Sequence, residues 1–405
     1  MASVHRSLRA GAGLCVLALA LGVTGTVGGA AAADERAADP TGEPGTVRVV
    51  AADDLDAVAR ARVAAMSLRE KAAGIVMGHI PTTDAAALST YMAGTGIGGF
   101  ILMGANIPGT EAELREITGA LTTDPALPPL IAIDQEGGDV SRLPWDTFPS
   151  AVTLKDQPAP ATADAFAARA ALLLRAGIGV NFGVVADVTG DRSMFIHRRA
   201  LGTDPVQGAD RVAAAVAGEG VQAMTTLKHF PGHGAAPGDS HVGIPSTAMS
   251  KDEWTAADGV PFQAGIDAGA PLLMFGHLSY TAVDTAPATL SAEWHRIARE
   301  ELGFTGVAIT DDLGMLQASG IPAYQDPVAN AVAAVGAGND MVLGVMFSTP
   351  ESAGRIVDGI VSAVESGALP RERLDEAVQR VTAARLALAA QGRGLSPCAD
   401  CAAAG

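Results

Sequence analysis

The chain has 405 residues, 48% hydrophobic and 18% charged, with 27 Lys and Arg against 44 Asp and Glu, giving a formal net charge of −17. That balance excludes nucleic acid as a partner, because phosphate binding asks for a basic surface, and the apolar content excludes disorder as the dominant state. The three cysteines cannot build a disulfide scaffold in a chain of this length, and beyond the N-terminus no apolar run reaches the ~18 residues of a membrane helix.

At the N-terminus Arg6 and Arg9 precede an apolar stretch over 10–27, and small residues fill 28–33 before Asp34. This is the three-part pattern of an export signal; a retained membrane anchor is the alternative, but the small residues suit a cleavage site and no stop-transfer charges follow at once. The expectation is a signal peptide over 1–33, a secreted or cell-surface protein, and no membrane span once the signal is removed. Cys15, near the start of the apolar run, does not read as a lipidated cysteine. Residues 34–53 are polar and rich in Pro, Gly and Ala, as in a linker.

A folded domain is expected over 54–393. Ser67 and Glu70 have the spacing of a capping box and introduce an apolar helix through Val76. Seven apolar runs follow, at 98–103, 130–134, 180–186, 224–228, 272–275, 307–310 and 341–345. They are too uniformly apolar for one-sided strands, as buried parallel strands are. Helical patterns alternate with them at 111–121, 161–176, 207–218, 292–302 and 327–335, and the helices 353–365 and 371–390 close the chain. This alternation means α/β. Seven strands and an eighth that the pattern does not place fit a single (β/α)8 TIM-type barrel, with no second α/β sandwich domain. The tail 394–405 carries Cys398 and Cys401, which an oxidising exterior can close into a small disulfide; nearby residues offer no partners for a redox or metal role.

In such a barrel the chemistry collects at the C-terminal ends of the strands. There the sequence places Asp134-Gln135-Glu136-Gly137-Gly138, Asp187, Lys228-His229-Phe230-Pro231-Gly232-His233-Gly234, His277 and Asp311-Asp312. Singly each has a bland reading, a strand-end Asp as helix cap or a buried His as hydrogen-bonded core. Converging on one rim, so many charges are costly unless a ligand or mutual pairing offsets them. No Gly-x-Ser-x-Gly elbow and no Walker-type loop occurs. His229, His233, His241 and His277 with Asp239 and Asp311 match no zinc spacing, so no metal and no cofactor is expected. Covalent or general acid–base catalysis remains.

The Lys228–Gly234 run followed by Asp239-Ser240-His241 resembles the signature of glycoside hydrolase family 3, in its β-N-acetylglucosaminidase branch. Gly98–Leu102, Asp134–Gly138 with Arg142, Asn181–Asp187, Pro287–Ser291 and Leu302–Met315 resemble family blocks in the family order. The resemblance implies Asp311 as nucleophile of a retaining double displacement, with Asp312 its rival. It implies His241 as acid/base and Asp239 as its partner, on a loop after the fourth of the seven strands; an imidazole of ordinary pKa about 6.5 can give and take the proton. Asp134, Arg142, Arg199, Lys228 and His229 are implied as sugar-binding residues. Two departures stand out: Arg198 competes with Arg199 for the family arginine, and Asp139 stands where the family often has Arg.

The implied activity is an exported retaining β-N-acetylhexosaminidase acting on terminal non-reducing N-acetylglucosamine of peptidoglycan fragments or chitin-type oligosaccharides. The glycan is the expected partner; the sequence specifies no protein partner. The alternatives are a β-N-acetylglucosaminide phosphorylase of the same family, which export disfavours, and a non-catalytic carbohydrate-binding barrel.

Overall fold

Eight short parallel strands close into a ring in which each pairs with the next along the chain: β1 (Val76–Gly78), β2 (Gly99–Leu102), β3 (Leu130–Ile133), β4 (Val180–Val185), β5 (Met224–Phe230), β6 (Leu272–Phe275), β7 (Val307–Asp312) and β8 (Met341–Leu343). β8 returns to β1 through Val76 opposite Val342. This computed structural model describes residues 52–220, 222–390 and 392. The expected signal 1–33, most of the linker, Cys15, Cys398 and Cys401 lie outside the described residues. Among the described residues no helix is long and apolar enough to cross a membrane.

β2, β3 and β6 are buried along their whole length, which is why they read as unbroken apolar runs rather than alternating ones. The capping box at Ser67 forms as expected, with Ser67 N–H donating to Glu70 at 2.7 Å. The helix it starts, α1 (Leu68–Gly74), does not continue through Val76, however. Val76–Gly78 is the strand that the pattern left unplaced. The two elements run together in the sequence because the apolar stretch is continuous, and because the strand is only three residues long. Gly98 fits against the end of this helix: a Cβ there would meet the Gly74 carbonyl oxygen at 1.9 Å.

Placing β1 shifts the count, so the loop with Asp239 and His241 follows the fifth barrel strand, not the fourth. The helix expected over 292–302 is also two elements, an α-helix Ala292–Arg296 and a π-helical turn Ile297–Glu301. The wider turn lets the Arg299 guanidinium donate to the Phe304 and Gly306 carbonyls and pair with Asp340. Asp340, fully buried just before β8, also receives Arg373 at 2.6 Å and Arg380 at 2.9 Å. Those arginines belong to α2 (Arg371–Ala390), so the closing helix is tied to the N-terminal end of the barrel, the end that serves stability.

Candidate active site

The opposite end of the barrel gathers the polar residues. After β3 the chain folds into a tight hairpin, Gln135–Gly137 against Val140–Ser141, turning through Gly137 (φ 86) and Gly138 (φ 68). A side chain at Gly137 would meet the Arg169 guanidinium at 2.3 Å, so the turn needs glycine for space as well as for its backbone. Gln135 staples the hairpin: its Oε1 accepts from Arg142 N–H (2.9 Å) and Leu143 N–H (3.0 Å), and its Nε2 donates to Ser141 and Asp146, each at 2.6 Å. The fold-back brings Arg142 to 3.1 Å from Asp134.

From β5, the Lys228 ammonium reaches both Asp134 (2.9 Å) and Glu136 (2.7 Å). Arg199, on the loop after β4, grips Glu136 with two donors at 2.9 and 2.7 Å. With Arg142, three cations therefore face the two carboxylates and compensate them in a largely buried site. Burial alone would push the Asp134 carboxyl up, but Lys228 and Arg142 bring it down to about 2. His229 sits between two partners, Asp187 at 2.6 Å from Nδ1 and Arg199 at 3.3 Å from Nε2. Asp187 also accepts His233 N–H at 2.6 Å and so ties both ends of the Lys228–Gly234 segment to β4.

At the end of β7 two adjacent aspartates differ sharply. Asp312 spends both oxygens on backbone: Oδ1 accepts from Gly314 N–H (3.0 Å) and Val345 N–H (2.8 Å), Oδ2 from Met346 N–H (2.8 Å). Asp311 accepts one bond, from Asp312 N–H to Oδ1 at 2.8 Å, and its other oxygen accepts none among the described residues. Burial raises the Asp311 carboxyl, but His229, His277, that N–H and Lys228 outweigh it, and the group lies below the usual carboxylate range. His277 is buried against Thr289 (2.9 Å) and the Asp312 carbonyl (2.8 Å).

Asp134, Arg142, Arg199, Lys228, His229, His241, Asp311 and Asp312 line one cavity of about 170 Å³, with Met103, Phe182, Met274 and Leu343 among its apolar walls. An engineered cavity of roughly 150 Å³ holds a benzene ring, so the space suits one six-membered ring. His241 reaches it from an exposed loop, its Nδ1 held at 2.6 Å by Asp239, which does not itself line the cavity. Phe195 makes T-shaped ring contacts with both His233 (centroids 4.5 Å apart) and His241 (6.3 Å) and so braces that loop from the β4 side.

Arg199, with only 12% of its side chain exposed, lines the cavity; Arg198, at 64%, lies outside and pairs with Asp139 at 2.6 Å. The two departures from the family pattern thus neutralise each other at the rim. Sequence reasoning passed over Glu136 and Asp187 as site residues, although both stand among the strand-end polar positions. Their partners, Arg199 from the loop after β4 and His229 from β5, come from distant parts of the chain and could not be assigned from spacing. Among the described residues no three His, Cys, Asp or Glu side chains converge to hold a metal ion.

A family model described as the glycosyl hydrolase family 3 N-terminal domain matches residues 67–384. A β-hexosaminidase of Stenotrophomonas maltophilia is 36% identical over 287 residues, 67% of this chain and 81% of that protein. One from Pseudomonas aeruginosa is 36% identical over 258 residues, 61% of this chain and 74% of that protein. Among solved structures, the family 3 β-N-acetylglucosaminidase from Paenibacillus sp. strain FPU-7 superposes with a TM-score of 0.75 at 29% identity over 80% of this chain, which spans 63% of that chain's length. The β-N-acetylhexosaminidase from Beutenbergia cavernae gives 0.69 at 27% identity, covering 79% of this chain and 98% of that one.

Proposed function

The chain belongs to glycosyl hydrolase family 3 and is a glycoside hydrolase acting on O-glycosyl bonds; from that premise we propose that it is an exported retaining β-N-acetylhexosaminidase. Its substrates in this reading are glycans ending in non-reducing N-acetylglucosamine, either peptidoglycan fragments or chitin-type oligosaccharides. The hexosaminidase names of the relatives support the sugar, and the pattern of residues 1–33 supports export.

The observation that carries the mechanism is the unequal use of the three cavity acids. Asp134 is paired through both oxygens and Asp312 is consumed by backbone N–H groups, so Asp311 is the carboxylate with an oxygen to spare. That oxygen attacks the anomeric carbon as the glycosidic C–O bond breaks, and Nε2 of His241 gives its proton to the departing oxygen. Asp239, bonded to Nδ1, orients the ring. Water then takes the place of the aglycone, His241 accepts its proton, and its oxygen bonds to the anomeric carbon as the C–O bond to Asp311 breaks, freeing the carboxylate. Asp134, Arg142, Arg199 and Lys228 bind the sugar hydroxyls, and a cavity sized for one ring favours removal of a single terminal residue.

The purified protein is expected to release p-nitrophenol from the N-acetyl-β-glucosaminide and not from the β-glucoside, at a rate independent of phosphate. Accumulation of a sugar 1-phosphate would turn the reading to a phosphorylase, and silence on both substrates to a binding barrel. His241→Ala is expected to lower kcat by about 10²–10⁴-fold, the usual worth of general acid–base catalysis. A loss no greater than that of Val242→Ala, its neighbour on the loop, would remove His241 from the mechanism.

A further inference from the structure

The cavity accounts for one sugar ring, yet exposed apolar side chains stand next to it in the chain, among the charged residues of its rim. Beyond β8 the wall is formed by Val345 and Met346, and the next residue, Phe347, is 65% exposed at φ 60. A bulky side chain in the left-handed region is an outlier, at a place where Gly or Asn is the ordinary occupant. The surrounding turn holds it there. Asp312 accepts Val345 and Met346 N–H, Ser348 N–H donates to the Val345 carbonyl at 3.1 Å, and a Cβ on Gly314 would strike the Met346 carbonyl at 2.5 Å. A firmly anchored turn thus displays a large apolar ring to solvent one residue beyond Met346, which lines the cavity. On the loop that carries His241, Val242 is 74% exposed. Two of the six exposed large apolar side chains among the described residues therefore follow directly on cavity-lining residues, Val242 on His241 and Phe347 on Met346.

We propose that Phe347 is a specificity-determining platform for the departing group, stacking against the C–H face of a second pyranose ring. This rests on the hydrolase reading above and deepens it: the preferred substrate is an oligosaccharide whose aglycone is itself a sugar. The face of an aromatic ring carries negative charge density and attracts the weakly positive C–H groups of a pyranose, while both surfaces leave water. The departing oxygen is the one His241 protonates, so the second ring lies at the mouth rather than in the cavity.

The test compares wild type with Phe347→Ala, Phe347→Gly and Phe347→Trp on two substrates, N,N′-diacetylchitobiose and N-acetyl-β-glucosaminyl fluoride, whose leaving group has no ring. Phe347→Ala is expected to lower kcat/KM for the disaccharide about five- to tenfold and to leave the fluoride rate unchanged. Phe347→Gly, which suits the positive φ, should match it, and Phe347→Trp should retain the disaccharide rate. Equal effects on both substrates, or a disaccharide rate kept by Phe347→Gly, would overturn the platform while the wild-type activity upholds the hydrolase. A wild type silent on both substrates overturns the hydrolase reading and the platform with it.

Discussion

Asp311→Ala is expected to lower kcat by about 10⁴-fold or more, because a covalent route loses its nucleophile and water must attack directly. The fold should survive, since Asp311 accepts only one neighbouring N–H. Its surroundings keep it ionised: burial opposes the charge, but His229, His277 and the Asp312 amide more than offset it. Adding azide to the variant should restore turnover and yield a glycosyl azide of inverted configuration, as only the residue occupying that face would permit. Asp312→Ala gives the contrast. It strands three backbone N–H groups on two segments, and its first signature should be a loss of stability of about 2–4 kcal/mol. If the Asp312 variant kept full stability and the Asp311 variant full activity, the division of roles would be wrong.

That division shows what the sequence could and could not carry. Uniformly apolar runs identified seven barrel strands because parallel strands are buried on both faces. The same uniformity hid β1, whose three residues prolong an apolar helix without a breaker. A cap was legible where one side chain satisfies a nearby amide, as Ser67 does for α1. Partnerships across strands were not. Glu136 stood in plain view, but its role arises from Lys228 and Arg199, 92 and 63 positions away along the chain in a ring closed by hydrogen bonds. The preference for Asp311 over Asp312 came from resemblance; the physical reason is the amide donors of Val345 and Met346, brought by the neighbouring strand. Likewise nothing local separates Arg198 from Arg199. Burial does, by putting one against Glu136 in the cavity and the other against Asp139 in solvent.

Lys228 carries the largest expected effect on stability. Its ammonium is buried between Asp134 and Glu136, so Lys228→Met removes the cation the two carboxylates share and leaves each with a single arginine, Arg142 for Asp134 and Arg199 for Glu136. Breaking a buried pair from one side costs about 3–5 kcal/mol, and sugar binding should fail as well. The pH dependence follows from Asp134. In the wild type its carboxyl is held down at about 2, so its contribution to stability is present above its ordinary range and is lost only as the pH falls through the folded value. Without Lys228 that carboxyl titrates higher and takes up a proton sooner. The penalty of the substitution should therefore be full at pH 7 and shrink below about pH 4, measured by denaturant unfolding at both. Adding Asp134→Asn to the variant should recover part of the loss at pH 7, since Glu136 keeps Arg199 as its partner. A penalty that is constant with pH, or untouched by the second substitution, would mean that Lys228 matters for its packing and not for its charge.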